Sequence, residues 1–186
     1  DAAEYGAKAA SVHPLFAISG GGSAQAKIGT ALFTLEGDES ALATVSALLD
    51  ECGVHHREIA SSDKPLYHAA AVCASNLAVG LFASAQTMLE RCGFGADEAR
   101  GALRALFVGN CESIAERGPI DALTGPIERN DAETVVGHLM AFREDPTLLK
   151  ERDAYTALSR VVVEVAAAKH PERDYSHIAE ILRAAR

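Results

Sequence analysis

The sequence predicts an α+β protein that is mostly α: a short α/β portion leading into an all-helical one. Three observations carry this. Up to about residue 61, short apolar runs surround a single helical stretch; from residue 62 onward every apolar pattern has helical pitch. Alanine is abundant, aromatics make up 5% of residues and tryptophan is absent, which suits closely packed helices.

Taken in order, residues 8–19 read as a short strand running through a turn at His13-Pro14, and residues 20–29 as a glycine-rich flexible loop. Ala31–Leu35 is a strand-like run ending at Glu36-Gly37-Asp38. Asp38 is placed to cap a helix over 39–51, where Leu42, Val45, Leu48 and Leu49 form one apolar stripe. Gly53 stops it, and Val54–Ala60 reads as another strand. Strand–strand–helix–strand is the tail of an α/β layer, too small to be a complete one.

The junction near Ser61-Ser62 separates a 1–61 portion from a helical 62–186 portion. Pro65–Arg91 is expected to be one helix, about 40 Å long at roughly 1.5 Å per residue. It is apolar nearly all round, the pattern of a helix buried among others. Pro65 suits its first turn, and Cys92-Gly93 its exit. His68, Ser75, Asn76, Gln86 and Glu90 interrupt the run and argue for a core helix over a membrane span. Further helices are expected at 96–117, stopped by Gly118-Pro119, and at 132–143, 148–169 and 175–185, with an irregular segment at 119–131.

Net charge is −9 with the basic residues scattered, which argues against a nucleic-acid partner. Nothing in the sequence suggests export or membrane insertion. Cys52, Cys73, Cys92 and Cys111 form no CxxC spacing and fit reduced thiols better than disulfides or zinc, so a cytoplasmic location is expected. Metal binding is not expected. His55 and His56 in a strand point to opposite faces and cannot share an ion.

The polar interruptions are the first candidate site. On the central helix His68 and Ser75 lie within about 20° of each other, with Tyr67 and Asn76 to either side. Lys64 stands at the positive end of that helix, a natural place for a carboxylate or phosphate. The alternative is that these groups are satisfied polar residues fixing helix packing. In the second candidate, Leu123–Asp131, Thr124 offers a hydroxyl and Arg129 could clamp an anionic group. Asp131 could equally cap the next helix and pair with Arg129.

His13-Pro14-Leu15, Leu35-Glu36-Gly37-Asp38, Lys64-Pro65-Leu66-Tyr67-His68-Ala69-Ala70-Ala71 with Ser75-Asn76, and Leu123-Thr124-Gly125-Pro126 with Arg129 and Asp131 follow one another in a familiar order. The chain resembles the later two-thirds of an uncharacterised bacterial family. Its members join a Rossmann-like domain to a helical domain of the 6-phosphogluconate dehydrogenase C-terminal type; the His-Pro element also resembles one in prephenate dehydrogenases. The resemblance implies an NAD(P)-dependent oxidoreductase whose helical domain completes the substrate cleft and forms a homodimer. It implies catalytic roles for Lys64, His68 and Asn76, and a small-molecule substrate bound by His13, Tyr67, Ser75, Thr124 and Arg129. Two departures stand out. The GxGxxG fingerprint is absent, so the chain is expected to begin inside the Rossmann domain's last strands and to bind a dinucleotide weakly or not at all. Asn130 also stands where the family motif usually has glycine. The competing expectation is a non-catalytic dimerisation or regulatory module retaining the same fold.

Overall fold

The computed structural model describes residues 5–16 and 28–185. The fold is α+β and mostly α. Strands β1 (Ala10–Pro14), β2 (Phe33–Gly37) and β3 (His56–Glu58) form one sheet in that order, β1 antiparallel to β2 and β2 parallel to β3. A parallel pair needs a crossover, which α1 (Glu39–Glu51) supplies. Six helices follow: α2 (Lys64–Ala74), α3 (Asn76–Arg91), α4 (Ala96–Ala122), α5 (Ala132–Glu144), α6 (Leu149–Lys169) and α7 (Ser176–Ala184). The expected 20–29 loop lies outside the described residues up to 27; Ile28–Thr30 form one 3-10 turn.

β2 has the expected five residues but sits two positions later than the 31–35 run, while the described parts of the other two runs yield shorter strands. β1 ends at Pro14, and β3 covers only three residues of the 54–60 run. Asp38 does take the N-cap position of α1, but its side chain makes no cap hydrogen bond. The carboxylate instead accepts from the Ala9 N–H at 2.8 Å, tying the start of β1 to the end of β2.

The single long helix expected over 65–91 is two. The backbone leaves helical geometry at Ser75 (φ −125°, ψ −78°), where its hydroxyl donates to the Ala71 carbonyl at 2.7 Å and to Asn76 Oδ1 at 3.1 Å. Serine bonded back to the preceding turn competes with the helical ladder and bends it. The run 61–91 is long and apolar enough to cross a membrane by length and composition alone. Broken at Ser75 it yields helices of 11 and 16 residues, each short of the roughly 20 that a span requires.

The expectation that this helix is buried is also corrected. Neither half contains a buried residue, and Leu66, Leu77 and Val79 are exposed. An all-apolar pattern establishes that a helix needs cover; it carries no information on whether the same chain provides it.

Two compact units emerge, residues 1–78 and 79–186. The first therefore includes α2, upstream of which the sequence places its junction. In the first unit Leu35 on β2 is fully buried. In the second the core is Ile127, Val135, Leu139, Ala166, Tyr175, Ile178 and Leu182, contributed by α5, α6, α7 and the turn before α5. α4 breaks at Gly118 (φ 77°), as Gly118-Pro119 leads one to expect, then makes one further turn to Ala122.

Candidate functional site

The strand register builds a polar face in the first unit. Ser11 pairs with Glu36 and His13 with Thr34 across the antiparallel β1–β2 ladder. Because side chains alternate, these four residues share one side while Val12 and Leu35 take the other. Across that face lies α2, whose Lys64, Tyr67 and His68 are spaced i, i+3, i+4 and so project from one stripe. Together with Ile59 these seven polar residues line a small cleft of about 60 Å³.

Two hydrogen-bonded groups stand side by side there. Lys64 Nζ donates to Glu36 Oε1 and lies 3.5 Å from Ser11 Oγ. His13 Nδ1 is 3.1 Å from the Tyr67 hydroxyl, the rings edge to face with centroids 5.9 Å apart. The buried Thr34 hydroxyl donates to the His13 carbonyl at 3.2 Å and fixes that strand position. The Glu36 side chain is only 14% exposed. Its hydrogen bond from Lys64 holds the carboxyl below the usual carboxylate range, against burial, which pushes it up.

The structure thus brings together Lys64, His68, His13 and Tyr67 from the residues singled out in the sequence. Ser75 and Asn76 are not among the residues lining the cleft; they occupy the break between α2 and α3. Ser11, Thr34 and Glu36 are the additions. Their sequence signal was polar alternation, Ser-x-His and Thr-x-Glu, inside otherwise apolar strands.

Thr124 and Arg129 belong to the second unit. Thr124 lines an apolar groove with Phe82, Leu106, Phe107 and Val162. Arg129 lies in the turn before α5, where Asp131 is the helix cap: Oδ1 accepts from the Thr134 N–H at 3.0 Å and Oδ2 from its hydroxyl at 2.6 Å. Asn130 adopts φ 59°, a left-handed conformation that asparagine tolerates better than other non-glycine residues, and its amide donates to the Asp174 carbonyl. Glu128 is held by His170 Nε2 at 2.5 Å and flanked by Arg173. His138 is engaged by the Tyr155 hydroxyl at 2.9 Å.

These contacts predict an acid limit for the second unit. His170 lowers the Glu128 carboxyl and Thr134 lowers that of Asp131. A carboxyl lowered on folding contributes stability that is complete above its unfolded range and lost as pH falls through the folded one. Urea midpoints are therefore expected to decline as pH falls below about 4.5. The decline should be smaller in Asp131→Asn; an equal decline in that variant would remove the cap from the explanation.

The described residues carry no GxGxxG turn. Among them one strand–turn–helix runs into a parallel strand, at Gly37-Asp38 before α1, and that turn is acidic, with Asp38 at the N-cap and Glu39 in the first turn.

A family model described as Domain of unknown function (DUF2520) matches residues 31–162. No curated protein matches the chain. Among solved structures, the chain is similar to protein TM1727 from Thermotoga maritima, with 27% identity and a TM-score of 0.73 over 87% of this chain. It spans 62% of the length of that relative, less than two thirds.

Proposed function

The chain belongs to the DUF2520 family, and on that premise we propose that it is the substrate-side portion of an NAD(P)-dependent oxidoreductase. In this reading its helices form a domain of the 6-phosphogluconate dehydrogenase C-terminal type. The observation that carries the reading is the polar face itself. A lysine, two histidines and a tyrosine converge on one small concavity, where the exposed side of a small sheet would otherwise be simply solvated. The cofactor is held by residues outside those described, since the Gly37-Asp38 turn does not suit it. Lys64 and His68 face the reacting oxygen of a small substrate: Lys64 supplies fixed positive charge and His68 a titratable group. Asn76, Thr124 and Arg129 take no part in this reading.

An NADH and NADPH fluorescence titration tests it, run on the 186-residue chain and on a longer form that includes the upstream half. Saturable binding by the longer form alone is the expected result. Failure of both forms to bind would favour the second reading, a non-catalytic dimerisation module.

In either case we expect a homodimer through the helical unit. Val79 on α3 and Leu106 on α4 are each 71% exposed, and Val108 and Ile114 add to the uncovered apolar surface. Leu106→Glu is expected to weaken dimerisation by at least about 30-fold, the cost of a charge at an interface centre. Sedimentation equilibrium checks this, and an unchanged monomer–dimer balance would move the interface elsewhere.

A further inference from the structure

We propose that Tyr67 and His13 form a proton-transfer dyad, with the Tyr67 hydroxyl exchanging a proton with an oxygen of a small uncharged carbonyl or hydroxyl compound in the cleft. The inference deepens the catalytic reading above and rests on it for the ligand.

Four features point this way. Tyr67 and His13 are held from opposite sides, one by α2 and the other by β1, with the hydroxyl 3.1 Å from Nδ1 and the rings at 88°. Thr34 fixes the His13 carbonyl, so the imidazole is set on a braced strand. Tyr67 is half-buried while His13 is exposed, so a proton taken up at the imidazole has a path to solvent. Lys64, the other proton-bearing group of the α2 stripe beside His68, is committed to Glu36 and Ser11. It is better placed to stabilise charge than to travel through a protonation cycle.

The class of ligand follows from size and charge. About 60 Å³ admits a functional group of a few heavy atoms. Lys64, the one permanent cation among the described residues lining the cleft, is paired with Glu36, so the cleft carries no net fixed charge to attract a phosphate or carboxylate from solvent.

The step balances within the dyad. The Tyr67 O–H bond breaks as an O–H bond forms on a ligand oxygen carrying developing negative charge. The Nδ1–H bond of a protonated His13 then breaks to restore the phenol, leaving the neutral Nε2–H tautomer, whose vacant Nδ1 regains a proton from water. The reverse sequence removes a proton from a ligand hydroxyl. The charged or ionisable groups that line the cleft with His13 and Tyr67 are Lys64, Glu36 and His68.

The test needs neither cofactor nor turnover. Acetylation of Tyr67 by N-acetylimidazole is followed by mass spectrometry across pH 5–9, with the exposed Tyr5 as internal reference. In the wild-type chain the Tyr67 rate should inflect at the titration midpoint of His13, read independently by histidine NMR. His13→Asn and His13→Gln keep a hydrogen-bonding side chain but cannot take a proton. Each is expected to slow Tyr67 at least about 10-fold relative to Tyr5 and to flatten its pH profile. Unchanged rate and inflection in both variants overturns the dyad. Because the readout involves no dinucleotide, it can fail while cofactor binding succeeds, and the reverse.

Discussion

If the proposed oxidoreductase reading holds, Lys64→Ala, made in a form of the protein that turns over, is expected to lower kcat by about 100- to 1,000-fold while changing KM little. Among the described residues Lys64 holds the one permanent positive charge lining the cleft, with its ammonium fixed between Glu36 and Ser11. A charge that is already oriented costs nothing to reorganise when negative charge develops on a bound oxygen, which is why its loss falls on kcat. Removal has a second consequence. Glu36, only 14% exposed, loses the hydrogen bond that keeps its carboxyl ionised and presents an unpaired negative group to the same oxygen. Lys64→Ala with Glu36→Gln should therefore recover part of the loss, and Lys64→Arg, with its wider and forked head, should recover less than the lysine provides. Full turnover in Lys64→Ala would remove the lysine from the mechanism.

Leu182→Ala is expected to destabilise the helical unit by about 2–5 kcal/mol, the range for leucine truncated in a well-packed core. Leu182 is completely buried, as are Ile178 one turn earlier and Val135 opposite on α5. α7 is a short helix of nine residues and holds itself against α5 and α6 largely through these two side chains. The Leu182 carbonyl also accepts from Arg160 at 2.8 Å, so displacement of α7 costs a hydrogen bond from α6. Urea unfolding should show the midpoint lowered with its slope retained. A change below about 1 kcal/mol would mean that the site collapses around the smaller side chain.

The helical unit was legible because its signals are local. Gly118-Pro119 marks a backbone break, Asp131 caps its helix through Thr134, and the 132–143 and 148–169 stretches fall within a residue of α5 and α6. The central helix was misread for a reason of the same kind: Ser75 is compatible with a helix by propensity, and only its bond back to Ala71 interrupts it.

The cleft was legible in part. Lys64, Tyr67 and His68 announce themselves by helical spacing. Glu36, Thr34 and Ser11 are opposed to them by the register of β1 on β2, a pairing of residues about 20 or more apart in sequence that no local pattern encodes. The same limit applies to the exposed apolar helices. Hydrophobic periodicity reports a need for burial, and the partner that meets it can lie on another chain.

Gly37 ends β2 with φ 142°, and a Cβ added there would collide with the Ala9 carbonyl oxygen and sit 2.7 Å from the Ala10 Cα. The obstruction is backbone, so no choice of rotamer relieves it. In a saturation mutagenesis screen scored on activity, position 37 should tolerate no other letter, although it is exposed and does not line the cleft. Every substitution there would prise β1 from β2 and so uncouple Ser11 and His13 from Glu36 and Thr34. A lineage that kept the chemistry of this face would thus be constrained most tightly at a residue with no side chain at all.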